Sequence, residues 1–176
     1  ADCRFVYAAL CALALLGVAP EAPEATAAWL LRCQNADGGF GCRPDGECES
    51  HAGHTFCCLA GIQLVGGKLA PRGRKRLLRW LCERQCEDGG LNGRPGKAPD
   101  ACYTWWTLAS SELYRMAGPA PKLAEMFDLA ALRRFVFSCA SAEGGVSAHP
   151  GEEPDPFHTY FGLAGLSLLG EEWVGR

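Results

Sequence analysis

A chain of 176 residues, 48% of them hydrophobic, is long enough for one domain with a substantial buried core. Its formal net charge of −3 excludes the basic surplus of a nucleic-acid binder, and no stretch reaches the roughly 18 uninterrupted apolar residues of a membrane span. Eleven cysteines, an odd number with several inside apolar stretches (Cys57, Cys58, Cys82, Cys139), predict buried free thiols in a reducing, cytoplasmic setting rather than a disulfide framework.

The first predicted element is the apolar run from Phe5 to Val18. Its length and small residues imitate a signal peptide, but Asp2 precedes Arg4, there is no initiator Met, and the run recurs downstream, so it reads as an internal helix. Gly38-Gly39 then opens a loop, and a second apolar run begins at His54. Leu78, Leu81 and Cys82 mark an amphipathic helix, with the basic cluster Arg72 to Arg79 as its solvated face. Cys82 and Cys86 imitate a metal pair but read as a buried thiol beside a loop thiol. After Gly89-Gly90, a loop punctuated by Gly and Pro carries Arg94 and Lys97 toward a helix start, where two cations and free backbone N–H groups would hold an anion. Asp100 and Cys102 stand at that start, and His158 opens a further run near the C-terminus. One carboxylate, one thiolate and one imidazole form a three-ligand set that leaves the fourth position of a tetrahedral zinc open for substrate. The same residues also fit a helix cap, a core thiol and a hydrogen-bonded histidine. Between them, Asp128 is a predicted N-cap, and Leu132, Phe135, Val136 and Cys139 fall at helical spacing on one stripe.

Four runs align, beginning at Phe5, His54, Tyr103 and His158, at offsets of 49, 49 and 55 residues. Three close on a glycine twelve residues on, Gly17, Gly66 and Gly170, and the pairs Gly38-Gly39, Gly89-Gly90 and Gly144-Gly145 recur between them. A period near 50 with two helical segments per unit indicates a helical repeat array. The first segment of each unit is apolar or small nearly all round, which predicts inner helices buried on both sides and ringed by amphipathic ones. The expected fold class is all-α, an α/α toroid.

Cys33 to Gly41, Glu49 to Cys58, Trp80 to Gln85, Gly89 to Lys97, Pro99-Asp-Ala-Cys-Tyr-Thr-Trp-Trp106 and Asp155 to Gly170 closely resemble the Rab (type II) protein geranylgeranyltransferase β subunits. The resemblance implies an α/α toroid of six helix pairs, one zinc, a geranylgeranyl diphosphate donor, a partner α subunit, and Rab-family GTPases presented by an escort protein as acceptors. Residues 1–176 would then form a partial toroid domain of about three and a half helix pairs, the C-terminal portion of such a subunit, cut short after Gly170. Carried over residue by residue, the resemblance places zinc on Asp100, Cys102 and His158, and the diphosphate on His51, Arg94, Lys97 and Tyr103. Trp106, with Trp105, Phe157, Tyr160 and Phe161, would wall the isoprenoid. His54 matches His158 in the repeat but has no second ligand near it in sequence, and reads as structural. One departure stands out. Ala148 occupies the place of an Asp that related subunits carry in an Asp-x-Pro-Gly turn, so magnesium is expected to bind weakly, through the diphosphate alone, with His149 offsetting some charge. CaaX-type enzymes, type I geranylgeranyl or farnesyl, share the ligands and the toroid; Trp105-Trp106, the run from Asn92 and Asp155-Pro-Phe-His158 favour the Rab type. A non-catalytic toroid assembly subunit is disfavoured because every metal and diphosphate position is filled, and a terpene cyclase would need an Asp-rich acid motif that the chain lacks.

Overall fold

Local chemistry sets where each helix begins. The structure, a computed structural model, describes residues 1–170; the expected shortening after Gly170 lies outside them. Asp2 caps α1 (Cys3–Leu15), its carboxylate accepting from Arg4 N at 2.9 Å. Proline at the first helical positions opens α2 (Pro23–Arg32) and α4 (Pro71–Cys82), where the missing N–H costs nothing. His51 caps α3 (Ala52–Leu64) through its ring. Then come α5 (Cys102–Met116), the single turn α6 (Leu123–Met126), α7 (Leu129–Ser138) and α8 (Pro156–Leu168). Asp128 caps α7 as expected, accepting from Ala131 N at 2.9 Å, and Asp155 caps α8.

These helices form two curved layers. The inner layer is α1, α3, α5 and α8, each packed on the next, while the outer helices α2, α4 and α7 lie against α3, α5 and α8 respectively. Every outer helix therefore leans on the inner helix that follows it in sequence. Close approach depends on missing side chains. A Cβ on Gly61 would sit 2.8 Å from a Leu30 methyl, and one on Gly165 would sit 2.6 Å from Cγ2 of buried Thr104. The core between the layers is filled by Leu30, Phe40, Leu77, Trp80, Leu81, Leu91 and Leu108.

Two of the glycine pairs mark close junctions with the outer layer. Gly38 (φ +107°) and Gly89 (φ +91°) take left-handed backbone and press on the next outer helix, where a Cβ would lie 2.4 Å from the carbonyl carbon of Arg76 and 2.6 Å from that of Ala131. A glutamine four residues earlier clasps the same junction. Gln34 Nε2 donates to the carbonyls of Gly38 and Gly73 at 3.0 and 2.9 Å, and Gln85 Nε2 donates to those of Gly89 and Asp128 at 3.0 and 2.9 Å. In the third unit Ala140 replaces the glutamine, and Gly144 has no described atom within 4 Å of its would-be Cβ.

Two expectations need correction. The buried stripe of α4 is Leu77, Trp80 and Leu81, one register away from Leu78, Leu81 and Cys82, because Trp80 fills the space beneath Gly39. The inner helices are also not equally buried. α3 and α5 are enclosed between neighbours, whereas α1 and α8 have one inner neighbour each, leaving Phe5 75% and Tyr160 64% exposed. For α7 the stripe Leu132, Phe135, Val136 and Cys139 is buried as predicted.

Candidate metal centre and adjoining cavities

Asp100, Cys102 and His158 meet. Their ligand atoms lie within 4.8 Å of one another, at the start of α5 and the start of α8. The two halves are brought together by the α5–α8 packing that Gly165 permits. Asp100 precedes α5 and accepts from Cys102 N at 2.8 Å, which fixes one carboxylate oxygen beside the thiol. That oxygen is 3.4 Å from His158 Nε2.

Asp155 orients the imidazole, and the sequence analysis missed it. Its Oδ1 accepts from the backbone N–H groups of Phe157 and His158 at 2.8 and 2.9 Å, and its Oδ2 is 2.5 Å from His158 Nδ1. With Nδ1–H donated to this carboxylate, Nε2 keeps its lone pair free and aimed at Asp100 and Cys102. The His158 backbone N–H, followed by its ring, holds the Asp155 carboxyl below the usual carboxylate range. An Asp-Pro pair with its Asp three residues ahead of a histidine was the available signal, since Asp caps and Pro fits the first helical turn. Burial, followed by the Asp100 charge, pushes the Cys102 thiol well above its ordinary value. Left to itself the thiol stays protonated, and only a cation at this point would draw the proton off. The donor set of one thiolate, one imidazole and one carboxylate fits zinc with an open position.

Two cavities adjoin here and share His51, Asp100 and Tyr103. One, about 330 Å³, is polar and is lined by His51, Gly93, Arg94, Lys97, Ala98, Asp100, Tyr103 and His149. The other, about 470 Å³, is mostly apolar; Tyr7, His54, Cys57, Trp106 and Phe157 are among its walls, together with Arg4. His51 Nδ1 accepts from Gly53 N at 3.2 Å, so the proton sits on Nε2, which lies 3.1 Å from the Tyr103 hydroxyl. His51 donates, and the Tyr103 O–H is left free to donate into the cavity. Burial and then the Arg4 charge depress His51, keeping it neutral; burial, with Cys102 and Asp100 behind it, raises Tyr103 to about 12. Gly93 makes the room, because a Cβ there would lie 2.3 Å from Tyr103 Cζ.

The loop bearing the cations is held from below. Arg84, 3% exposed, donates to Asn92 Oδ1 at 2.9 Å, and Asn92 Nδ2 donates to the Lys97 carbonyl at 3.2 Å. Lys97 is exposed, while Arg94 is paired with Glu49, and the pair is a weak one because 64% of the Glu49 side chain is in solvent. The 147–149 turn lies next to the triad. Ala101 N donates to the Ala148 carbonyl at 3.0 Å, and His149 Nδ1 is 3.0 Å from Glu152.

The aromatic wall is narrower than expected. Trp105, Trp106, Phe157, Tyr160 and Phe161 form a continuous ring cluster, but of these only Trp106 and Phe157 line the apolar cavity. Tyr7 and Tyr103 add rings to that wall, Tyr7 at the position that Phe56, Trp105 and Tyr160 fill in the other aligned runs. His54, read as structural, is in the wall.

Residues 1–175 match the family described as the prenyltransferase alpha-alpha toroid domain. The chain is 41% identical over 173 residues to the geranylgeranyl transferase type-2 subunit beta of Saccharomyces cerevisiae, covering 96% of this chain and 50% of that protein. It is 38% identical over 183 residues to the type-1 subunit beta of Arabidopsis thaliana, covering 97% of this chain and 46% of that protein. Among solved structures, Candida albicans protein geranylgeranyltransferase-I complexed with GGPP superposes with a TM-score of 0.82 at 28% identity, over 96% of this chain and 49% of that one. The chain spans about half the length of the curated relatives it matches. On fold, helix order and sequence together, it belongs to the prenyltransferase alpha-alpha toroid family.

Proposed function

We propose that this chain carries the reaction centre of a zinc-dependent protein prenyltransferase β subunit, which moves a geranylgeranyl group from geranylgeranyl diphosphate to C-terminal cysteines of Rab-family GTPases, in complex with an α subunit and an escort protein. The observation that carries the reading is that an apolar cavity and a polar groove bearing Arg94 and Lys97 meet at His51, Asp100 and Tyr103, where Asp100 also gathers with Cys102 and His158. The isoprenoid lies against Tyr7, Trp106 and Phe157, and the diphosphate lies toward Arg94, Lys97, Tyr103 and His51. Held by the triad, zinc would keep an acceptor cysteine as thiolate at neutral pH. The acceptor sulfur bonds to the first isoprenoid carbon as the carbon–oxygen bond to diphosphate breaks. Charge then builds on the leaving oxygen, where the Tyr103 hydroxyl and the two cations stabilise it more than in the ground state. Magnesium, where it contributes, binds through diphosphate oxygens, because the Ala148 methyl offers none and its carbonyl is taken by Ala101 N.

The likeness to a geranylgeranyltransferase-I structure supports a second reading, a CaaX-type β subunit. Assay in the full-length context with an α subunit separates them: the first reading expects transfer to an escorted Rab protein and none to a CaaX peptide. Cys102→Ala and His158→Ala should abolish zinc binding and transfer, and Asp155→Asn should weaken zinc about 10–100-fold. Stoichiometric zinc in both alanine variants would refute the ligand set.

A further inference from the structure

Cys42 and Cys48 stand apart from the other thiols of the chain. Their Sγ atoms are 3.2 Å apart, and both are partly exposed. The residues between them make a tight reversal in which Asp45 (φ +64°) and Gly46 (φ +76°) both take left-handed backbone. That reversal is pinned from three sides. Asp45 N donates to the Arg32 carbonyl at 3.1 Å and its carboxylate pairs with the Arg32 guanidinium; Cys3 N donates to the Cys42 carbonyl at 2.9 Å; Asn35 Nδ2 donates to the Cys48 carbonyl at 2.8 Å. Gly41 permits the approach, since a Cβ there would lie 2.4 Å from the Cys48 carbonyl oxygen. Nothing in the proposed prenyl transfer uses this pair.

We propose that Cys42 and Cys48 are a reversible dithiol–disulfide site on the loop that leads into Glu49 and His51. The backbone clamps keep the two sulfurs together, so closure needs only a side-chain adjustment from 3.2 Å to a bond of about 2.05 Å. The oxidant is a small-molecule disulfide of the glutathione class. Cys48 thiolate attacks one of its sulfurs, breaking that S–S bond, forming a mixed disulfide and releasing one glutathione thiolate. Cys42, having lost its proton to solvent, attacks the Cys48 sulfur and expels the second. Two protons end on the two glutathiones, which have been reduced by two electrons, and the pair has been oxidised to a disulfide. Burial, followed by the S–H contact to Cys48, raises Cys42 to about 11, which suits the later, resolving role.

The test reads thiols rather than transfer, so it stands or falls independently of the proposed function. The full chain is equilibrated in glutathione buffers of rising oxidised fraction, quenched in acid, alkylated and mapped by mass spectrometry. The expected result is loss of two hydrogens within the 42–48 peptide, reversed by reduced glutathione, with the remaining cysteines alkylated. Cys42→Ser should instead trap a glutathione adduct on Cys48, about tenfold above the wild-type level because the resolving thiol is missing. Full alkylation of both cysteines in oxidised buffer overturns the proposal. So does a disulfide joining either one to a different cysteine, or an adduct on Cys48 equal in wild type and variant.

Discussion

His54, read from sequence as structural, also stands in the wall of the apolar cavity. Its Nδ1 is buried without a hydrogen-bond partner, and burial, reinforced by His51 and Arg4, lowers its pKa from 6.5 to about 4. The folded chain therefore refuses a proton that the unfolded chain accepts between these values. The stability that neutral His54 contributes is complete above pH 6.5 and is lost progressively as pH falls toward 4, and depressed His51 adds in the same direction. We expect His54→Gln to flatten the fall of the urea midpoint across this window, and parallel profiles for variant and wild type would remove His54 from the account. Why the sequence concealed this is physical. The grouping of Asp100, Cys102 and His158 could be read because each residue type has its own metal chemistry, whereas a histidine in a cavity wall differs from one in a core only through which neighbouring helices enclose it. Asp155 was concealed differently, having been recognisable as a cap while its second oxygen serves the imidazole.

At the level of elements, the helices and their pairing were legible because apolar period and glycine spacing are local properties. The register of α4 was not, since Trp80 and Leu78 are both large apolar residues and the cleft beneath Gly39 selects Trp80. The α5–α8 contact matters most for the site, because it brings His158 to Asp100 and Cys102. Gly165 sets that distance. Gly165→Ala would place a methyl 2.6 Å from Thr104 Cγ2, and Thr104 is fully buried, so α8 must move instead. We expect a loss of about 1–3 kcal/mol in stability together with weaker zinc binding, since the imidazole withdraws with the helix. An alanine variant with unchanged unfolding and unchanged zinc affinity would show that the interface yields elsewhere.

Across the whole molecule, the layered stack leaves apolar side chains in solvent at both of its ends: Phe5, Leu15 and Leu16 on and just after α1, Phe157 and Tyr160 on α8. Surfaces of this kind associate. The 176-residue chain alone should elute as oligomers and enhance the fluorescence of an apolar-surface dye; a dye-silent monomer would contradict this. The stacking order also bears on motion. Because each inner helix is secured mainly by its neighbours in sequence, local opening should start at the ends and reach α3 and α5 last. The triad straddles this gradient, with Cys102 on the well-enclosed α5, Asp100 just ahead of it, and His158 on α8, which has one inner neighbour. An ion held there would staple α8 to the start of α5. Hydrogen exchange should register it as slowed amides along α8 when zinc is added, with α1 at the opposite edge exchanging at the same rate as before.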